Sequence, residues 1–186
     1  LRRQRQMCIR DRAGSESVEL ANSVNRYKTA AYTIERPLHL GAAIAGASEE
    51  LIAAFRGYGH DIGIAYQLRD DQLGVFGDPA VTGKPAGDDL REGKRTELLA
   101  LALQRADESD PQAAATLRKL IGHTSDPQEL SRLAQIIADS GAPEEIERRI
   151  DALTRSGLQH LHAAQVDPAV TEALEQLAIK ATARRK

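Results

Sequence analysis

Tryptophan is absent from this 186-residue chain, cysteine occurs once, and aromatic residues make up only 3% of it. The single thiol, Cys8, allows no disulfide framework and no cysteine-based metal site, which fits a reducing compartment, and a cytoplasmic location is the matching expectation. Few aromatics beside abundant Ala and Leu suit packed helices better than sheets. No apolar run approaches the roughly 18 residues of a membrane span, so an integral membrane protein is not expected. The formal net charge is only -2, leaving neither the basic footprint of a nucleic-acid binder nor an acidic tail. Any polyanion must therefore be met by local charge. The basic opening, Leu1 to Arg12, lacks the apolar stretch of about 7 to 15 residues found in a secretory signal and shows no helical period. It reads as a non-native or disordered N-terminus, and residues 13–186 as part of one domain.

What is present is a chain 41% hydrophobic and 28% charged, enough for one globular core. The fold class expected is all-α. Val24 to Gly46 reads as one helix bent where Pro37 removes an N–H. Ser48, followed by Glu49 and Glu50, starts a second helix whose apolar period runs through Leu51, Phe55, Tyr58, Ile62 and Ala65 to Leu73, ending near Gly77-Asp78-Pro79. Gly59 and Gly63 on that helix would allow either a close helix approach or room for a ligand tail. Asp78 to Gly93 holds Pro79, Gly83, Pro85, Gly87 and Gly93 and reads as a loop with several turns. Helical patterns then follow at about 95–106, 111–121, 127–140, 143–164 and 168–183. Asp110-Pro111, Asp126-Pro127 and Asp167-Pro168 each put a capping carboxylate before a proline suited to the first helical position.

The chemistry concentrates in Gln67-Leu68-Arg69-Asp70-Asp71-Gln72-Leu73-Gly74. Asp70 and Asp71 follow Gln67 by three and four positions, so on a helix the three share a stripe, with two carboxylates and an amide oxygen facing one volume. Such hard oxygen donors suit Mg²⁺, which is readily shared between carboxylates and substrate phosphates. A bare Asp-Asp is ordinarily a solvated surface pair. This one is embedded in an apolar helix and precedes a glycine-rich segment carrying Lys84 and Lys94 at Gly-Lys steps, good point charges for a diphosphate. Lys28, with Thr29 beside it, is a third candidate. A nucleotide P-loop is excluded: five residues instead of four separate Gly77 from Gly83, Pro85 stands where Ser or Thr is required, and a helix precedes the segment. The histidines are weak candidates. His160 and His162 are two apart on a helix and face different ways, and His60-Asp61 reads as structural or surface.

Three stretches together, Tyr27-Lys28-Thr29, Gly59 to Asp71, and Gly83-Lys84-Pro85-Ala86-Gly87-Asp88-Asp89-Leu90-Arg91-Glu92-Gly93-Lys94-Arg95-Thr96, resemble the C-terminal half of the trans-isoprenyl diphosphate synthases, nearest to the geranylgeranyl diphosphate synthases. The resemblance is close over about Val24 to Leu103. It implies an isoprenoid-synthase-type helical bundle, present as an incomplete C-terminal portion. It also implies Mg²⁺ held by Asp70 and Asp71, diphosphate oxygens contacted by Lys28, Lys84 and Lys94, and Thr29 and Gln67 lining the reaction centre with Lys28. The implied reaction is ionisation of an allylic diphosphate, attack by the double bond of isopentenyl diphosphate, and proton loss. The glycine-rich segment would close as a lid, and the full-length form would be a homodimer.

Two departures from the family pattern stand out. Gly74 occupies the place of a third Asp in the motif, and no Asp-Asp-x-x-Asp occurs upstream of Lys28, so the chain alone is expected not to catalyse condensation. Competing readings are a non-catalytic diphosphate-binding or regulatory subunit and a terpene cyclase. The Gly-Lys and Lys-Thr motifs argue against the cyclase.

Overall fold

The computed structural model describes residues 26–83 and 85–183, except the side chains of 26–30, 81 and 82. Leu1 to Arg12 and Lys84 lie outside the described residues. Every regular element described is helical: a π-helical segment Arg26–Glu35, then α1 Arg36–Ile44, α2 Glu49–Phe76, α3 Pro79–Thr82, α4 Asp88–Glu92, α5 Glu97–Ser109, α6 Pro111–Leu120, α7 Pro127–Asp139, α8 Ala142–His162 and α9 Pro168–Thr182. Two sequence expectations need correction. The helix expected over 24–46 is described from Arg26 to Ile44 as a π-helical run that passes directly into α-helix at Arg36, beside Pro37, so its geometry rather than its presence differs. The segment 78–93 contains two short helices. The first begins at Asp78, whose Oδ1 accepts from Ala80 N at 2.8 Å ahead of Pro79, so Asp78-Pro79 is a fourth helix start of the Asp-Pro kind.

The described chain divides into two compact units, residues 26–69 with 147–183 and residues 70–146, the boundaries falling inside the long helices α2 and α8. In the first unit, Phe55, Tyr58 and Ile62 recur along α2 at helical spacing and pack with Ala42, Leu161 and Ala178. Glycines let the backbones close in. A Cβ on Gly59 would lie 2.8 Å from Glu35 Cα, and one on Gly157 would lie 2.9 Å from the Ile62 side chain. Gly59 thus serves close packing, one of the two roles its spacing allowed. Tyr58, 2% exposed, donates its hydroxyl to Leu174 O at 2.7 Å. His160 Nε2 stands 3.7 Å from Asp61, and His162 pairs with Glu175, so the two histidines do face different partners.

Arg69 stands at the end of this unit. Its guanidinium grips both oxygens of Glu147 at 2.5 and 2.6 Å, and its Nε donates to Thr182 O at 2.8 Å. A planar fork suits that bidentate clamp, which a lysine could not reproduce.

The second unit buries Leu98, Leu99, Leu103, Leu117, Leu133 and Ile137 from three successive helices. Each of those helices carries its own start. Thr96 accepts from Leu99 N, Asp110 from Gln112 N and Ala113 N, and Asp126 from Gln128 N and Glu129 N. Backbone contacts help fasten the glycine-rich segment to this layer. Gly93 (φ +68) and Gly122 (φ +76) are left-handed and lie so close that a Cβ on either would meet the other's Cα at 3.0 Å, while Gly122 N donates to Leu90 O at 2.8 Å.

Gly59→Ala should lower unfolding free energy by about 1–3 kcal/mol, because backbone rather than a movable side chain blocks the new methyl. Gly41→Ala, with nothing within 4 Å of the new Cβ, should raise it by up to about 1 kcal/mol through helix propensity. Urea titrations followed by circular dichroism compare the two.

Burial pushes the Tyr58 phenol up to about 12 from its ordinary 10.0. A folded pKa above the unfolded one favours the folded state fully below the unfolded value, and that share is lost as pH climbs toward the folded one. Stability should therefore fall between about pH 10 and about pH 12. Tyr58→Phe should flatten that fall at a cost of about 1 kcal/mol for the hydroxyl's hydrogen bond. Thermal melts across that range provide the measurement.

Candidate diphosphate and metal site

Helix α2 carries the central stripe. Gln67 and Asp70 are half-buried on it, and Asp71 is buried at 4% exposure. The next position on that stripe is Gly74, four residues after Asp70 and three after Asp71. Its missing side chain is filled from elsewhere. A Cβ built on Gly74 would fall 2.1 Å from Asp89 Oδ2 and 2.3 Å from its Cγ. The carboxylate of Asp89, itself 6% exposed, is thus seated directly against α2, one turn beyond the Asp70/Asp71 pair.

Asp89 arrives there because α4 is short and bounded by left-handed glycines at both ends, Gly87 (φ +72) and Gly93 (φ +68). The chain that leaves α4 through Gly93 brings Lys94 back over the same carboxylate. Lys94 Nζ hydrogen-bonds Asp89 Oδ1 and lies 3.4 Å from Glu92 Oε2. Burial opposes the lysine's charge, but the Asp89 hydrogen bond and the Asp89 and Glu92 charges outweigh it, leaving the Lys94 pKa above the ordinary lysine value. Lys94 is therefore a cation at neutral pH. On the outer side of α4, Arg91 pairs with Asp88. Under Pro85 to Asp88 lies a cavity of about 500 Å³ with Val75, Phe76, Leu130 and Ala134 among its lining.

Of the sequence candidates, Asp70, Asp71 and Lys94 fall in one unit, with Asp89 and Gly74 between them. Lys28 and Thr29 belong to the π-helical segment, their side chains outside the described residues, as is Lys84. Sequence reasoning assigned Asp89 no role. The signals that point to it are a glycine where the aspartate stripe continues and an acid five residues before the lysine. The donor set fits a hard divalent cation: adjacent carboxylates with an amide one turn earlier are oxygen ligands of the kind Mg²⁺ takes alongside water and phosphate. Among the described residues, no group of three or more His, Cys, Asp or Glu side chains is disposed to enclose a metal unaided. No described helix is long and apolar enough to cross a membrane.

In fold the chain is similar to the geranylgeranyl pyrophosphate synthase of Corynebacterium glutamicum, solved in complex with isoprenyl diphosphate and magnesium, at TM-score 0.90 and 61% identity over 92% of this chain and 48% of that one. The chain thus spans about half the length of that relative. In sequence it is 47% identical to the geranylfarnesyl diphosphate synthase of Aeropyrum pernix over 91 residues, which are 48% of this chain and 28% of the relative. It is 45% identical to the geranylgeranyl diphosphate synthase of Mycobacterium tuberculosis over 76 residues, 41% of this chain and 22% of that one. The family model for polyprenyl synthetase matches residues 5–139, well over half of the sequence, and the chain belongs to that family.

Proposed function

We propose that this chain supplies one diphosphate-binding half of a trans-prenyltransferase that joins an allylic diphosphate to isopentenyl diphosphate in isoprenoid biosynthesis, with a product of geranylgeranyl or related length. The observation that carries the reading is the arrangement on α2: two adjacent aspartates, one buried, with a lysine held one turn beyond them by a carboxylate packed into the Gly74 gap.

In this reading Asp70 and Asp71 are the metal-holding carboxylates, and Lys94 donates N–H to an oxygen of the allylic diphosphate. Lys28 and Lys84 supply further positive charge to that group. Thr29 and Gln67 line the reaction centre near the departing diphosphate and the developing allylic cation. Bound Mg²⁺ would neutralise charge on the departing diphosphate. The protein side of catalysis is then preorganised charge, with no covalent nucleophile. The part of the glycine-rich segment ahead of α4 closes over the diphosphate and keeps water from the cation, while α4 stays seated on α2 through Asp89. Arg69 supports the site indirectly: its clamp on Glu147 and the Thr182 carbonyl orders the turn of α2 that leads into Asp70.

Isothermal titration with inorganic pyrophosphate tests the reading directly. The chain should bind it in the presence of Mg²⁺ and release it when EDTA is added. Asp70→Asn and Asp71→Asn should each weaken binding about 10- to 100-fold. Wild-type protein that takes up no pyrophosphate with Mg²⁺, or asparagine variants that bind as wild type does, would sink it.

A further inference from the structure

Gly74 and Asp89 are fifteen residues apart in sequence, yet the space left by one is occupied by the carboxylate of the other. We propose that Gly74 is a seat for the Asp89 carboxylate, and that Asp89 so seated is a positioning residue that holds the Lys94 ammonium over the Asp70/Asp71 stripe for the diphosphate. The proposal rests on the diphosphate reading above.

Position 74 is where the stripe's next side chain would project, three and four residues after the aspartates. Any Cβ there would overlap Asp89 Oδ2 at 2.1 Å, so α2 accepts the carboxylate only because residue 74 is glycine. The helix gives up side-chain packing and intrinsic propensity at this point, which calls for a compensating contact. Asp89 is buried and cannot swing clear, and its other oxygen receives Lys94 Nζ. An ammonium carries three donors. Asp89 and Glu92 engage it from one side, and N–H capacity remains for a phosphate oxygen. A flexible four-carbon side chain, which would otherwise search many rotamers, is thereby held before ligand arrives. The carboxylate missing from position 74 of the motif is not simply lost: α4 delivers one to the same volume, coupled to a lysine.

The test uses the full chain and two variants that keep every charge. Gly74→Ala evicts the Asp89 carboxylate from its seat, and Asp89→Glu overfills it with one extra methylene. Each should weaken Mg²⁺-dependent pyrophosphate binding by about tenfold, the share of one charge-assisted hydrogen bond, with the helical circular-dichroism signal retained. In a Lys94→Met background the same substitutions should change the affinity less than twofold, because nothing is left to position; a purely structural defect would persist there. Wild-type affinity in both Gly74→Ala and Asp89→Glu, beside weakened binding in Lys94→Met, overturns the positioning role and leaves the site reading intact. Equal losses with and without Lys94 overturn it too. Loss of the diphosphate reading looks different: wild-type protein fails to bind Mg²⁺-pyrophosphate, or Lys94→Met binds as tightly as wild type.

Discussion

A single absent methyl group governs how this molecule presents charge. Because residue 74 has no side chain, a carboxylate from a separate short helix reaches the surface of α2 and brings a lysine with it. The same glycine sits one turn past two aspartates, so two acids of α2 gather near a third brought by α4 together with its lysine. Left alone, such a cluster would repel itself. The lysine offsets part of that repulsion, and in the reading proposed above a divalent cation would offset more.

Arg69 makes the opposite choice from Lys94. It precedes the aspartates immediately, yet its side chain is committed to Glu147 and to the last turn of α9. An arginine clamped in this way is unavailable as a roaming counter-ion, and it ties α2 to two later helices of its own unit. As an i,i+1 neighbour on a helix, Asp70 does not face Arg69, so no local ion pair competes. In the folded chain the bidentate partner and the buried carbonyl win because they satisfy three donors at once, which neighbouring surface carboxylates cannot do.

Features with local causes were the ones readable from sequence. Asp110, Asp126 and Asp167 announce helices because the capping group and the proline lie within three residues of the bonds they make. Ser48 does the same for α2. Asp78-Pro79 carries the identical signal, but glycines close behind it masked a helix of one turn. The switch from π- to α-helix at Arg36 falls beside Pro37, where the sequence signalled a bend, but the π geometry itself had no signal in the residues. In the site, the apolar setting of the Asp70-Asp71 pair was legible, whereas the seat of Asp89 was not. Sequence reasoning weighs side chains that are present, and here the informative position has none. The Arg69 clamp was hidden for another reason: 78 residues separate it from Glu147, and many acids could have competed.

The backbone contact between Gly93 and Gly122 bears on how such a chain can change over generations. Most packing contacts tolerate drift because a larger residue on one side can be balanced by a smaller one opposite. Here both partners are already at the minimum size, both need left-handed backbone, and they touch through their Cα atoms. No compensating exchange exists for either. The two positions form a fixed pair 29 residues apart, around which surrounding loops can lengthen or shorten while the exit of the glycine-rich segment stays pinned to one point of the helical layer.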